Sequence, residues 1–490
     1  MSIFHKKYFG FKKIVLWLLF IMVGSSVWLW MICDVEPIVA LLGLSILWVA
    51  ALPGLLYLQG IDHSPMPFFP LVGVFYAIFF GLPVFLTPYL PTLNGKMILY
   101  NNIVIENIDP NILLMVLCGI LVMVITYFCM KSWPLYNLNK FRLDSSDRAN
   151  TLNIMFWLLV LIHFLYEFVP VINAIPSIGQ FSKPVIYLAF GGLFLQWRAG
   201  RLPQFQLYLF IFAAIPLELF LRLFSFLITP LLLLILFIAL VFWRERLKKA
   251  NLALFGISLL IISSYDITSA LRSQIVENFE IPGIERSKIP GVLFNAIKEV
   301  TIKGGKKVIM EDSREFIFYY GRGKPIVHRT SQIWVLHTVY SRTPVEIPYW
   351  DGESYLPLLT SLIPRIIYSD KPLEQTGYKF GNRYGFLNIG NVERTSVNLP
   401  WITEFYANFG IWGLMIGMSL VGIFMAFLDR VFNAQNMNDL EFVFGTTLIF
   451  SLIYQESNLS VMTGSMLPLF IILYLYFRLG IPLLDKLQTH

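Results

Sequence analysis

The chain has 490 residues, of which 57% are hydrophobic and only 14% charged, against roughly 25% charged in ordinary soluble domains. That balance excludes a soluble globular enzyme. The net charge of +7 comes from basic residues at the ends of apolar runs and in one long loop, not from a basic stripe on a cytoplasmic soluble domain, which excludes a nucleic-acid partner.

In chain order, apolar runs of about 18 to 23 residues recur, the length that crosses a hydrocarbon core as helix. They predict an all-α polytopic integral membrane protein with about 12 transmembrane helices. The runs centre near Phe20, Ile46, Ile78, Leu121, Val160, Ala189, Ala214, Ile235, Ile257, Ile416, Leu448 and Ile471. The first has the basic start of a signal peptide, but it is too long, lacks a small-x-small cleavage pattern and is followed by another span, so it reads as an anchor. Cys33, Cys118 and Cys129 lie in or beside spans without a CxxC pair, and imply neither a disulfide framework nor a thiolate metal site.

Lysine and arginine placement predicts the orientation. With the N-terminus inside, one set of ends carries Lys6, Lys7, Lys12, Lys13, Lys131, Lys140, Arg142, Arg148, Arg198, Arg201, Arg244, Arg246, Lys248, Lys249, Arg430, Arg478 and Lys486. The opposite short loops hold only Lys96, Lys183 and Arg222. Both termini are then cytoplasmic. The chain divides into nine spans over 1–263, one large external loop over 264–403, and three spans over 404–490, and no internal repeat relates the two transmembrane parts.

The loop is charged, aromatic and proline-bearing, too long for a turn and too polar for lipid. Residues near Phe294 to Tyr320 mix Lys, Glu and apolar residues at helical spacing, broken at Gly304-Gly305. A second helix is predicted from Thr330 to Tyr340, with Trp334, Val335 and Val339 on neighbouring turns. Pro344, Pro348 and Gly352 punctuate the chain, Ser354 to Ile363 reads as a short helix, and 371–400 reads as an irregular, substrate-facing segment. The tenth span is predicted over Ile402 to Leu428.

No DxD pair, Walker loop, GxSxG or HExxH occurs in the loop. Its two histidines, His328 and His337, are too few for a protein-built zinc site, so no metal or other cofactor is expected. The loop does hold arginines at intervals, Arg329, Arg365, Arg383 and Arg394, with Lys371 and Lys379 between them. A guanidinium fork suits the oxygens of a diphosphate and its charge cannot be titrated away. Trp334, Tyr349, Trp350, Tyr368 and Tyr378 stand among them, which suits a lipid-diphosphate headgroup. Taken singly, any of these arginines is equally an ordinary surface ion-pair residue. Outside the loop, Glu218 and Arg222 are spaced to pair along one helix face, with Arg222 either snorkelling to headgroups or joining a phosphate site. His163 with Glu167, and Glu456 with Asn458, are further polar groups near span ends.

The order Arg329, Thr343-Pro344, Pro348-Tyr349, Gly352, Tyr355, Pro364-Arg365, Asp370-Lys371-Pro372, Gly377, Phe380-Gly381 and Tyr384-Gly385 resembles the bacterial oligosaccharide repeat-unit polymerases, the O-antigen polymerase-like family. So does its continuation from Thr403-Glu404 through Asn408-Phe409-Gly410 to Gly413. The resemblance covers residues 329–422. It implies a GT-C-like, metal-independent membrane glycosyltransferase of the bacterial inner membrane. Such an enzyme moves a growing glycan from undecaprenyl diphosphate onto the next lipid-linked repeat unit at the outer, periplasmic face. Its partners would be that lipid-linked oligosaccharide, the bilayer and a polysaccharide chain-length regulator. The resemblance implies that Arg365 and Arg383 stabilise the leaving diphosphate, supported by Arg329 and Lys371. Arg394, Arg222, His337, Tyr368 and Glu353 are further candidate contacts to diphosphate or glycan. Glu404, followed by Glu353 and Asp351, is a candidate base for the acceptor hydroxyl; Glu404 is equally a candidate structural partner. A glycan ligase, a flippase for the same lipids and a non-enzymatic membrane scaffold remain as alternatives.

Overall fold

The computed structural model describes residues 35–86, 108–133, 142–143, 148–173, 175, 178–224, 228–263, 330–361, 363, 368, 375–387, 397 and 399–488. It also describes the strand residues 92–93, 96–98, 104–105, 306–311 and 314–319, and positions 16, 19–20, 22–29 and 31 near the start.

The described chain is dominated by helices. In order they are α1 (Pro37–Leu58), α2 (Phe68–Tyr76, continued by a π-turn and a 3-10 turn to Phe85), α3 (Pro110–Ser132), α4 (Ala149–Phe168) and α5 (Ile178–Arg198). Next come α6 (Gln204–Leu209), α7 (Ile215–Phe224), α8 (Ile228–Arg244), α9 (Lys248–Ser263), α10 (Gln332–Arg342), α11 (Leu356–Ser361) and α12 (Thr376–Arg383). The last four are α13 (Trp401–Phe432), α14 (Asp439–Phe450), α15 (Leu459–Gly464) and α16 (Met466–Gln488). Strands are few and antiparallel: β1 (Thr92–Leu93), β2 (Lys96–Ile98) and β3 (Val104–Ile105) in one sheet, β4 (Lys306–Glu311) and β5 (Arg314–Tyr319) in another. The second sheet corrects the helical reading of 294–320 over 306–311 and 314–319, while 294–305 lies outside the described residues. The run Lys306 to Tyr319 is rich in β-branched and aromatic residues around Asp312-Ser313, and Glu311 pairs with Arg314 across a two-residue connection, a hairpin spacing.

Among the described residues seven helical stretches are long and apolar enough to cross a membrane: Pro37–Leu58, Phe68–Phe85, Pro110–Ser132, Ala149–Phe168, Gln204–Arg222, Trp401–Phe432 and Leu459–Leu487. They coincide with the runs centred near Ile46, Ile78, Leu121, Val160, Ala214, Ile416 and Ile471, and are consistent with a polytopic membrane protein. The runs near Ile235, Ile257 and Leu448 form shorter helices of 17, 16 and 12 residues. On α3 the reason for a membrane setting is direct. Leu113, Val116, Ile120, Met123 and Tyr127 are buried in the protein, yet Leu114, Leu121 and Ile125 on the other side are exposed and equally apolar. A helix apolar all round needs lipid against its outer face.

Two compact units emerge, one of residues 1–85, 107–203 and 332–490, the other of 86–106 and 204–331. In the second unit α8 packs on α7 and α9. The first unit is centred on the pair α3 and α13. A Cβ at Gly422 would collide with Thr126 Oγ1 and the Met123 carbonyl, so the missing side chain lets the two backbones close up, as small residues do between membrane helices. Helices α3 and α14 start on side-chain caps. Asp109 accepts from Asn111 N before Pro110, and Asn438 and Glu441 close a capping box on α14.

One end of the α3–α13 pair is locked by buried charge. Lys131 Nζ donates to Asp62 Oδ1 at 2.7 Å, Ser64 Oγ at 2.7 Å and Tyr127 Oη at 2.9 Å, and also pairs with Asp429. Asp429 further accepts from Tyr127 Oη at 2.8 Å, Ser64 Oγ at 2.9 Å and Asn433 Nδ2 at 2.7 Å. Burial alone would push the Asp62 carboxyl up, but the Lys131 charge and hydrogen bond outweigh it and hold that carboxyl below its usual range.

Candidate functional site

The other end of the pair carries the segment between α10 and α13. Helix α10 is inserted on nearly all sides, with Gln332 to Leu336, Thr338 and Val339 buried. Its last residue, Arg342, donates from Nη1 to the Tyr384 carbonyl at 2.9 Å. Thr343 Oγ1 meets Tyr384 Oη at 2.8 Å, tying the end of α10 to the end of α12. The Thr343–Pro344 peptide is cis.

Helix α13 is not continuous. Phe409 (φ −139, ψ 19) and Gly410 (φ 63, ψ −150) leave the helical region. The second combination is essentially open only to glycine. A Cβ at Gly410 would lie 2.7 Å from Tyr349 Oη. Residues 401–408 are therefore a separate short helix, every residue buried. The stretch 411–432 alone, about 33 Å at 1.5 Å per residue, suffices to cross a core about 30 Å thick. The predicted span Ile402 to Leu428 is corrected accordingly, because a glycine within an apolar run gives no sequence sign of a break.

The break is capped by the turn at 350–354. Trp350 N donates to the Ala407 carbonyl at 3.1 Å and Asp351 N to the Asn408 carbonyl at 3.3 Å. Gly352 N donates to Asn408 Oδ1 at 2.9 Å. Asn408 Nδ2 in turn donates to Ser354 Oγ at 2.9 Å and to the Glu404 carbonyl at 2.8 Å. The turn itself holds Asp351 at φ 48 and Gly352 at φ 89. Glu404 is fully buried. Its Oε1 accepts from Ser354 Oγ at 2.7 Å and its Oε2 from Leu459 N, the first amide of α15, also at 2.7 Å. Three elements thus converge on one carboxylate.

The same turn presents Glu353 to α12. Lys379 and Arg383 are four apart on that helix and share one face. Lys379 Nζ lies 2.9 Å from Glu353 Oε1 and Arg383 Nη1 3.5 Å from Glu353 Oε2. Arg383 is also held without Glu353: Nη2 donates to the Pro348 carbonyl at 3.0 Å and to the Tyr349 carbonyl at 3.5 Å. Its guanidinium carbon stands 4.9 Å over the Trp350 ring, a cation–π arrangement. Among the described residues none accepts from Arg383 Nε. Burial, then the Glu404 charge, pushes the Tyr355 hydroxyl well up. Burial likewise raises Tyr384, against opposing contributions from Thr343, Trp350 and Arg383. Both phenols stay protonated and are excluded as bases.

The structure therefore brings Arg383 and Glu353 together, with Lys379 and Trp350. Glu404 stands one step behind them, linked through Ser354 to the turn that carries Glu353. His337 is half-buried on α10, its ring 6.0 Å from Trp334, and Tyr368 is exposed. Arg222 lies in the second unit, where its Nε donates to Glu218 Oε1 at 2.6 Å, the helix-face pair its spacing predicts. Arg329, Arg365, Lys371 and Arg394 lie outside the described residues. His163 Nδ1 faces the Ser182 carbonyl at 3.1 Å as well as Ser182 Oγ at 2.8 Å. Among the described residues no group of three or more His, Cys, Asp or Glu side chains is placed to hold a metal ion. Sequence reasoning missed Arg342, Ser354 and the anchoring by Asn408. Arg342 directly before Thr343-Pro344 was the available signal.

Comparison with family models, with curated proteins and with solved structures gave no match to this chain.

Proposed function

We propose that this protein polymerises undecaprenyl-diphosphate-linked oligosaccharide repeat units into a surface polysaccharide at the outer face of the bacterial inner membrane. In this reading the chain has about twelve spans, both termini in the cytoplasm and the segment 264–403 outside. A sugar hydroxyl of the acceptor unit attacks the anomeric carbon of the donor glycan. The bond from that carbon to the lipid diphosphate breaks, the diphosphate leaves with the bonding pair, and the hydroxyl proton passes to a carboxylate. The chemistry calls for fixed positive charge where the diphosphate charge develops.

The observation that carries the reading is Arg383. Its guanidinium is held by two backbone carbonyls and by the face of Trp350, and it keeps donors to spare beside a second cation, Lys379. A fork fixed in this way is prepared for a planar set of phosphate oxygens at no cost in reorganisation. The resemblance over 329–422 supports the same reading, with Arg365, Arg329, Lys371 and Arg394 as further diphosphate contacts.

The test is the length of surface polysaccharide in a deletion strain carrying wild type, Arg383→Gln or Arg383→Lys at matched expression. Both variants are expected to lose the long-chain ladder while single repeats still reach their final acceptor, a fall in elongation of about 10² or more. Lysine fails because it cannot lie flat on Trp350 and reach both carbonyls. Loss of single repeats as well would identify a ligase or flippase. An unchanged ladder in both variants would remove Arg383 from the reaction and leave the polymerase reading without its support.

A further inference from the structure

We infer that Glu353 is a displaceable counter-ion, occupying the Lys379–Arg383 pair in the place of a phosphate or diphosphate group.

Three features of the cluster lead there. Its charge is unbalanced: one carboxylate spans two cations, leaving an excess of positive charge that a diphosphate would cancel and Glu353 does not. Its geometry is uneven. The contact to Lys379 is short at 2.9 Å, whereas the one to Arg383 is 3.5 Å, beyond the roughly 2.7–2.9 Å of a strong charge-assisted bond. The two carboxylate oxygens thus span the cations as two oxygens of a diphosphate would, with the guanidinium contact left weak. Finally, release is easy. Arg383 keeps its carbonyl and Trp350 contacts when Glu353 leaves, so the site does not collapse. The flanking residues are pinned, Gly352 N on Asn408 and Ser354 Oγ on Glu404, while the Glu353 side chain is 41% exposed. Only its rotamer has to change.

An exposed ion pair of this kind is worth little by itself, which is what a group meant to be displaced requires. Glu353 would then hold the two cations in register before substrate arrives and yield them to the headgroup. Its candidacy as the acceptor's base is a different role and is not needed here. The inference rests on the proposed function only for the identity of the ligand.

Binding of inorganic diphosphate and of farnesyl diphosphate to the purified, detergent-solubilised full chain tests it by calorimetry. Glu353→Gln is expected to tighten diphosphate binding by about fivefold, the upper end of what an exposed pair can release. The gain should vanish in Glu353→Gln/Arg383→Gln. Glu346→Gln removes a similar exposed charge beside Arg342 and controls for general electrostatics; it should change binding less than twofold. A gain with both ligands supports a site for the diphosphate itself, and a gain with farnesyl diphosphate alone supports a lipid-headgroup site. Unchanged or weaker binding of both by Glu353→Gln, or an equal gain from Glu346→Gln, overturns the inference. The ladder assay reports the polymerase reading separately. A full ladder with Arg383→Gln removes that reading while a Glu353→Gln gain stands. A lost ladder without that gain removes the counter-ion alone.

Discussion

The two charged clusters of the first unit are inverse in composition and opposite in setting. Asp62, Asp429 and Lys131 put two anions around one cation; Lys379, Arg383 and Glu353 put two cations around one anion. In the first, both carboxylates are almost completely buried, and Ser64, Tyr127 and Asn433 occupy the remaining lone pairs. In the second, the side chains are between 28% and 56% exposed and donors remain open. Buried charge is tolerable only when it is fully paired and hydrogen-bonded, so the first cluster has no capacity left for a ligand and serves as a joint between α3, α13 and the connection 59–67. Open donors at a half-exposed, pre-oriented guanidinium are what a ligand uses. Satisfaction of the charges, more than their number, separates a joint from a site.

The largest expected effect comes from breaking the joint. Lys131→Met leaves two buried carboxylates without their cation and should cost about 3–5 kcal/mol, read as a fall in thermal midpoint of the solubilised protein. The pH dependence should also change sign. In the wild type the lowered Asp62 value gives stability that is present above the unfolded value, about 3.9, and is lost as pH falls through the folded one. In Lys131→Met burial, the largest contribution, is opposed only by the Ser64 hydrogen bonds and is joined by repulsion from the nearby Asp429 carboxylate, so the folded value rises above the unfolded one. The variant should then be more stable near pH 5 than at pH 7. A variant that melts with wild type at both pH values would show that the cluster is not a joint.

Next in size is the break in α13. Gly410→Ala imposes a Cβ on a backbone combination that costs of the order of 1–3 kcal/mol for other residues and brings it against the Tyr349 ring. Adding Tyr349→Ala removes the ring contact but not the strained backbone, so the double variant should recover only part of the loss. Full recovery would mean that the helix can run straight through residue 410.

These regions were unequally legible in the sequence. The spans show because a run of about 20 apolar residues has few alternatives to crossing lipid. The cationic segment shows because it interrupts such runs, and Arg383 and Glu353 could be singled out there. The joint could not be seen. Lys131 and Asp429 are 298 positions apart, each lies near a helix end, and Lys131 alone is accounted for by the orientation rule. Asp62 sits in a short polar connection that reads as a turn. The break at Gly410 was hidden for a related reason: a glycine in an apolar run fits a straight helix until the backbone bonds from Trp350 and Asp351 are known. The hairpin at 306–319 was misread because lysines among apolar residues satisfy a helical and an alternating pattern about equally over a short window.

The smallest predicted effect is at Glu404, which lies between the two extremes: buried like the joint, yet connected to the site. As a base it would need a path to the acceptor hydroxyl. As an anchor it needs only the contacts already present. Glu404→Gln keeps the shape and one acceptor: its Oε1 can take the Leu459 amide, while its Nε2 faces Ser354 Oγ. That hydroxyl already accepts from Asn408 Nδ2 and has a second lone pair to offer, but its own proton loses its acceptor. The loss should be about 1–2 kcal/mol, the cost of one unsatisfied buried hydroxyl, and elongation should fall only in proportion to folded protein. If elongation instead falls about 10²-fold or more at an unchanged thermal midpoint, the carboxylate is moving a proton, and Glu404 belongs with Arg383 on the reacting side of the turn.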